Sequence, residues 1–131
     1  TYKGVLLEGV PNASIVFGYI NASWTLKADL AAEYTCRLLN YMDEHGYSTA
    51  VAHARDTDRA EGSVMGALNS GYVVRGNAHL PRQGTRGPLK VTNDYLRDAM
   101  TLRRGGLDDG ILEFGTRRAT GAVAAHTRAT A

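Results

Sequence analysis

The sequence predicts an α/β fold of a few short strands and one long amphipathic helix. Residues 14–20 are apolar and rich in β-branched and aromatic side chains, which is the composition of a buried strand. From Leu26 onwards, apolar side chains recur every four residues until Gly46, which is the spacing of one helix face followed by a glycine stop. Glycine supplies 15 of the 131 residues, so we expect many tight turns between the elements.

Length and composition bound the class of protein. A chain of 131 residues has room for one ordinary domain. Apolar residues make up 44% and charged residues 21%, which is typical of globular proteins and not of disordered or fibrous ones. Cys36 is the only cysteine, so an intrachain disulfide is excluded and a reducing, cytoplasmic setting is favoured. The four histidines are His45, His53, His79 and His126. They do not have the spacing of metal ligands, so no metal site is predicted.

Charge is distributed unevenly along the chain. Residues 1–62 carry 5 basic and 8 acidic side chains, whereas residues 63–131 carry 10 basic and 5 acidic ones. A basic second half favours an anionic partner such as a membrane surface. The arginines are scattered and no aromatic ladder lies among them, which is more typical of a solvated face, and no nucleic-acid partner is expected.

The first half of the chain divides into short strands, a corner and the long helix. Residues 5–7 and 14–20 predict two adjacent strands, separated by turn-forming residues at 9–12. The small polar segment 21–25 predicts a strand-to-helix corner that contains two candidate helix caps, Ser23 and Thr25. The helix that follows has an apolar stripe of Leu26, Leu30, Tyr34, Leu38 and Met42.

The second half predicts shorter elements. A strand is expected at 47–52, a polar loop at 55–62, a turn-rich link at 82–88 and a second helix at 93–104. The apolar set of that helix is Tyr95, Leu96, Ala99, Met100 and Leu102. Residues 115–131 lack periodicity and predict a disordered tail.

The corner at residues 21–26 is the one place where local physics favours a ligand. In open α/β sheets, ligands lie at the carboxyl ends of strands, where a following helix presents unpaired N–H groups. Trp24 could pack on a planar ligand there. An ordinary strand-to-helix connection explains the same residues equally well. No G-x-G-x-x-G fingerprint occurs, and local chemistry assigns no catalytic residue.

Several segments nevertheless have a specific likeness to a known family. The most specific are FGYINASWTLKADL at 17–30 and CRLLNYM at 36–42. Shorter ones are YKGV at 2–5, GVPN at 9–12, GYVVR at 71–75, LPRQG at 80–84, NDYLRD at 93–98 and LDDG at 107–110. Together, from Tyr2 to about Phe114, they resemble the C-terminal region of FAD-containing, NADPH-dependent monooxygenases of the Baeyer–Villiger or flavin-containing type. Within that family they most resemble the ethionamide-activating enzymes.

The resemblance implies a flavoprotein that uses FAD, NADPH and O2 to oxygenate ketones, thioethers, thioamides or amines. Residues 1–46 would be the C-terminal strand–helix part of a Rossmann-like FAD-binding domain, and residues 47–114 a largely helical or irregular C-terminal extension. Both cofactors would require N-terminal regions that this sequence lacks. By position, four residues match the family segment that lies along the isoalloxazine ring: Ser23, Trp24, Thr25 and Leu26.

Three functional interpretations follow from these observations. The first is the C-terminal portion of a monooxygenase, inactive in isolation, whose partners are a small-molecule substrate, O2 and the rest of the monooxygenase chain. The second is a non-catalytic basic binding module, and the third is an inactive truncated fragment. The expected location is cytoplasmic, with peripheral membrane association left open.

Overall fold

A computed structural model describes residues 1–65 and 70–116 of the chain. Within these ranges it contains three α-helices and four short strands. The helices are α1 (Trp24–His45), α2 (Gly71–Gly76) and α3 (Tyr95–Arg104), and the strands are β1 (Thr49–Ala52), β2 (Arg59–Ser63), β3 (Arg82–Gly84) and β4 (Leu112–Gly115). Single 3-10 turns occupy Asp56–Asp58, Asn77–His79 and Gly87–Leu89. No helix in the described ranges has the length and apolar character needed to cross a membrane.

The long helix predicted from the four-residue spacing is confirmed as α1. Its buried side chains include Leu30, Tyr34, Leu38 and Met42, which are four of the five predicted stripe residues. The helix ends at Gly46, whose backbone is left-handed with φ of 68°. Glycine adopts this conformation without the steric cost that a Cβ atom brings, so the chain turns out of the helix here.

The strands form two separate antiparallel pairs. β1 pairs with β4, with Thr49 opposite Gly115 and Ala52 opposite Leu112, and the prediction of a strand at 47–52 is confirmed. β2 pairs with β3, with Arg59 opposite Gly84. The prediction of a loop at 55–62 is therefore wrong in its second part. A polar segment forms a strand there because β3 supplies backbone hydrogen-bond partners, which side-chain composition does not reveal.

The predicted strand at residues 14–20 is wrong. Ser14 forms one isolated bridge to Leu6, and the Ile15 N–H donates to the Val5 carbonyl at 2.7 Å. In this segment only Tyr19 is buried. A strand requires a ladder of backbone partners along its length, and the described chain offers this segment two contacts at its start. At residues 5–7, where a strand is also predicted, only Leu6 forms isolated bridges, to Tyr2 and Ser14.

One hydrophobic core joins both halves of the chain. Its fully or almost fully buried members include Tyr2, Leu30, Tyr34, Leu102 and Leu112. They come from the N-terminal turn, α1, α3 and β4, and α1 packs against α3. Burying each of the larger apolar side chains contributes about 1.5–3 kcal/mol to stability. This packing fixes where the two ends of α1 lie.

The second predicted helix is confirmed as α3, but its buried face differs from the prediction. Leu96 and Met100 are 72% and 64% exposed. The face of α3 towards α1 instead contains Asp98 and Leu102, which are both buried. Apolar spacing would not place a carboxylate on a buried face. Asp98 is buried there because Lys27, Tyr19 and Thr92 donate hydrogen bonds to it.

The α/β class is confirmed for the described residues, with short antiparallel strands in place of a larger sheet. Assignment of residues 1–46 to a Rossmann-like FAD-binding domain, and of 47–114 to an extension, stays a prediction. The predicted tail begins one residue too early, since Gly115 ends β4. Residues 117–131 of that tail lie outside the described residues.

Candidate functional site

The corner predicted as a ligand site lies on the surface at the start of α1. Ser23 occupies the N-cap position in an extended conformation, with φ of −62° and ψ of 137°. Its hydroxyl lies 2.8 Å from the Thr25 hydroxyl, and its side chain accepts no hydrogen bond from a helix N–H. The predicted position of the cap is therefore confirmed, and the predicted capping bond is not formed by Ser23. Both side chains are exposed, as are those of Trp24 and Leu26.

Trp24 packs on the backbone of Gly18 while about half of its surface stays open. Its exposed fraction is 53%. A Cβ atom added to Gly18 would lie 2.2 Å from the indole ring. Such an approach is possible only because Gly18 has no side chain. The indole therefore has one face on the protein and the remainder of its surface towards solvent.

The electrostatics of the corner favour a neutral or negatively charged ligand. The first turn of α1 contains no acidic side chain. The N-terminus of a helix carries a partial positive charge on N–H groups that lack intrahelical partners. A ligand atom with negative charge would be stabilised by these groups, and no carboxylate of the first turn competes with it.

A buried polar cluster lies directly behind the corner. The Asp98 carboxylate of α3 accepts hydrogen bonds from Lys27 Nζ at 2.7 Å, the Tyr19 hydroxyl at 2.8 Å and the Thr92 hydroxyl at 2.8 Å. Lys27 is 3% exposed and Asp98 is 7% exposed. This cluster ties the first turns of α1 to α3 and to the segment that precedes the corner. The sequence did not predict this cluster, because Lys27 and Asp98 are 71 residues apart and no local pattern indicates that the two family-like segments containing them meet.

Burial also controls the ionisation of the tyrosine in this cluster. Burial, followed by the hydrogen bond to Asp98, raises the pKa of Tyr19 above its ordinary value. The hydroxyl therefore stays protonated near neutral pH and remains a donor. The Tyr19 ring also meets the Tyr95 ring edge-on, with centroids 6.4 Å apart. The cluster is thus a fixed support for the corner.

Other residues singled out by the sequence have structural surroundings. Cys36 is an exposed free thiol. Asp109 accepts a hydrogen bond from the Tyr2 hydroxyl at 2.7 Å and so holds the N-terminal turn. The His45 ring stacks on Tyr47 with centroids 5.7 Å apart. In the ranges that the structure describes, no three potential metal ligands come together, and His126 lies outside those ranges.

Comparison with known proteins finds relatives among monooxygenases that contain or bind FAD. The chain is 50% identical over 113 residues to "Probable FAD-binding monooxygenase AlmA" of Acinetobacter baylyi. It is 48% identical over 118 residues to "FAD-containing monooxygenase EthA" of Mycobacterium tuberculosis, and 43% identical over 119 residues to the protein of the same name from Mycolicibacterium smegmatis. This chain is homologous to a segment of the FAD-containing monooxygenases. The resemblance noted in the sequence is confirmed.

The homology covers most of this chain and a small part of each relative. The matched residues are 86% of the chain but 23% of AlmA, and 90% of the chain but 24% of EthA from Mycobacterium tuberculosis. The chain therefore spans about a quarter of the length of these monooxygenases. No protein-family profile and no solved structure matches the chain.

Proposed function

We propose that the chain is the C-terminal part of a flavoprotein monooxygenase and that its corner, Ser23 to Leu26, lies along the isoalloxazine ring of FAD. In this proposal the whole enzyme uses FAD, NADPH and O2 to oxygenate a ketone, thioether, thioamide or amine. The observation that carries it is the identity of 43–50% to proteins named as FAD-containing or FAD-binding monooxygenases. The remaining three quarters of such a protein would supply most of both cofactor sites.

The residues at the corner fit a planar, electron-rich ring. Trp24 offers an open aromatic surface, and the uncapped start of α1 offers N–H groups. When bound, FAD would supply the redox chemistry that activates O2. The part of this chain would be to position the ring and to stabilise negative charge on it through backbone N–H groups.

The buried cluster behind the corner supports this role. Lys27 and Tyr19 both donate to Asp98, so the residues on either side of Trp24 are held to the same carboxylate. Placing a binding surface within a few tenths of an ångström requires supporting residues with fixed positions. We therefore assign Lys27, Tyr19 and Asp98 as positioning residues for the corner.

A chimera tests the proposal. The 113 residues of Acinetobacter baylyi AlmA that match this chain are replaced by the corresponding residues of this chain, and the purified protein is analysed for bound flavin and for substrate-dependent NADPH oxidation. We expect a flavin-loaded protein with monooxygenase activity. A folded chimera that lacks flavin, beside a parent that retains it, contradicts the proposal.

Two variants locate the site within the chimera. Trp24→Ala removes the aromatic surface, and Gly18→Ala forces the indole to move because a Cβ atom at Gly18 would overlap it. Both are expected to weaken flavin binding, while Trp24→Phe retains more of it. Tyr72→Ala serves as the control, because Tyr72 is an exposed aromatic residue on α2. Equal effects of Trp24→Ala and Tyr72→Ala would place the ring elsewhere.

The isolated chain is expected to be inactive, because it spans about a quarter of its relatives. Purified as 131 residues, it should show no stoichiometric flavin absorption. A basic binding module would instead bind anionic partners with a steep dependence on salt. The proposal also includes a cytoplasmic location, with peripheral membrane association as an open alternative. The proposed partners are the substrate, O2 and the rest of the monooxygenase chain.

A further inference from the structure

A cavity of about 410 Å³ is lined by α3 and the segment 87–92, and its lining includes Asp98 and Thr92 of the cluster behind the corner. The lining includes Arg97 and Thr101 of α3, Pro88 and Lys90 of the segment 87–92, and Lys3 of the N-terminal turn. This volume lies within the usual range of about 300–1,000 Å³ for small-molecule pockets. The cavity is thus large enough for a small organic molecule.

Three cationic side chains line this cavity. Lys90 and Arg97 are exposed, and within the described residues neither side chain forms a hydrogen bond or an ion pair. Lys3 is different, because its side chain is only 5% exposed. Its Nζ donates to the Gly106 carbonyl at 2.7 Å, and the Asp109 carboxylate lies 3.7 Å away. An ammonium group has three N–H donors, so Lys3 retains unused capacity at the cavity wall.

The backbone presents Lys3 in an unusual way. Lys3 and Gly4 have φ of 51° and 63°, so both adopt the left-handed conformation. Residues other than glycine, asparagine and aspartate are uncommon there, and the conformation costs about 1–3 kcal/mol. The ammonium group lies 4.8 Å from the centre of the Tyr2 ring and 5.4 Å from that of Tyr34. The Val5 N–H donates to the Tyr2 carbonyl at 3.0 Å, so Lys3 and Gly4 are the central residues of a tight turn that holds the ammonium group beside the cavity.

The charge balance favours a dianion. Two carboxylates also line the cavity, Asp98 and Asp109. Asp98 is neutralised from behind by Lys27, at 2.7 Å. The remaining carboxylate, Asp109, balances one of the three positive charges of Lys3, Lys90 and Arg97. The cavity lining therefore has a net charge of two positive charges. Burial also lowers the pKa of Lys3, an effect that a bound anion would oppose.

We propose that this cavity binds a small organic phosphate monoester, with the phosphate group between Lys3, Lys90 and Arg97. A phosphate monoester carries a charge close to −2 at neutral pH, which matches the two unbalanced positive charges. Arginine and lysine are the usual protein partners of phosphate oxygens. Pro88 and Leu102 line the same cavity and offer apolar contact to the organic part. The inference does not depend on flavin binding, since the corner and the cavity are lined by different residues.

Nuclear magnetic resonance titration of the ¹⁵N-labelled chain with phenyl phosphate tests this site at constant ionic strength. We expect saturable shifts of the backbone amides of Thr101, Gly105 and Gly106, which line the cavity. Arg97→Gln and Lys90→Gln should each weaken binding about tenfold, because each removes a charge-assisted contact. Using two variants guards against the case in which one of them disturbs folding.

Arg104→Gln is the matched control, because it removes the same charge from an exposed position on the same helix. It should leave the affinity unchanged. Benzoate, with one negative charge, should bind more weakly than phenyl phosphate, and phenol should not bind. Absence of saturable shifts in the folded chain would overturn the proposal. So would equal weakening by Arg97→Gln and Arg104→Gln, or benzoate binding as tightly as phenyl phosphate.

Discussion

Asp98 is the residue whose removal should damage the described structure most. It accepts hydrogen bonds from Lys27, Tyr19 and Thr92. Asp98→Ala would leave the Lys27 ammonium buried without a counter-charge, which costs about 3–5 kcal/mol. Urea unfolding should show this loss, while Asp108→Ala, at an exposed aspartate, should change the free energy of unfolding by about 0.5 kcal/mol or less. Similar losses in both variants would contradict the importance of the cluster.

A second carboxylate should govern stability in acid. Asp58 accepts hydrogen bonds from Arg55 Nε at 3.0 Å and Arg86 Nε at 2.8 Å, and these hold the pKa of Asp58 below its ordinary value. The ionised Asp58 carboxylate therefore stabilises the fold fully at pH values above the ordinary aspartate pKa of about 3.9. This stabilisation is lost as the pH falls through the lower pKa of Asp58 in the folded state.

Asp58→Asn should therefore flatten the acid side of the stability profile. The variant is expected to lose stability at neutral pH and to show a smaller further decrease in Tm as the pH is lowered from about 5 to about 2. Glu61→Gln is the control, since Glu61 is exposed and lies on β2, the strand that directly follows Asp58. Parallel acid profiles for Asp58→Asn and the unsubstituted chain would show that the arginine pair does not act in this way.

Single residues also show where sequence reasoning fails. Apolar spacing placed Leu96 and Met100 on the buried face of α3, yet both are exposed. A buried carboxylate is favourable only when partners reach it, and the donors to Asp98 lie at positions 19, 27 and 92. No local pattern in the sequence contains that information. The corner at Ser23 was found from local signals, because capping residues and helix periodicity are local.

Helix α1 could be predicted because its causes are contained within it. The stripe, the N-cap position and the stop at Gly46 all lie within 24 residues, and each is observed except that Leu26 of the stripe is exposed. The strand predicted at 14–20 had a suitable composition, but strand formation depends on a partner elsewhere in the chain. β2 shows the converse, since a polar segment became a strand beside β3. Of the paired elements the sequence predicted only β1, because a strand's partner lies elsewhere in the chain, whereas the signals for α1 lie within the helix itself.

Gly46 should set the end of α1 through its backbone conformation. At φ of 68° it has no other atoms within 4 Å of an added Cβ, so substitution is opposed only by the backbone. Gly46→Ala should destabilise the chain by about 1 kcal/mol, or roughly 4 °C in Tm. Gly76→Ala is the control, because Gly76 is equally open but has φ of −86°. Thermal unfolding by circular dichroism measures both, and an equal response would exclude the left-handed conformation as the cause.

At the scale of the whole molecule, the chain has a core of its own and a surface suited to further polypeptide. The core joins α1, α3 and the β1–β4 pair, whereas Trp24 and Leu39 are 53% and 54% exposed on α1. Large exposed apolar side chains of this kind are common at interaction surfaces. Under the proposed function, the rest of the monooxygenase chain would pack on this face of α1.

The fluorescence of Trp24 can measure whether the corner contacts the flavin, because Trp24 is the only tryptophan of the chain. In the isolated chain its half-exposed indole should be quenched readily by acrylamide. In the AlmA chimera, the difference in emission between the protein and its Trp24→Phe variant isolates the signal of Trp24. An adjacent flavin accepts excitation energy from an indole, so adding FAD to the flavin-free chimera should abolish this difference. A difference signal that survives saturation with FAD would show that the corner at α1 does not contact the ring, even if the chimera is active.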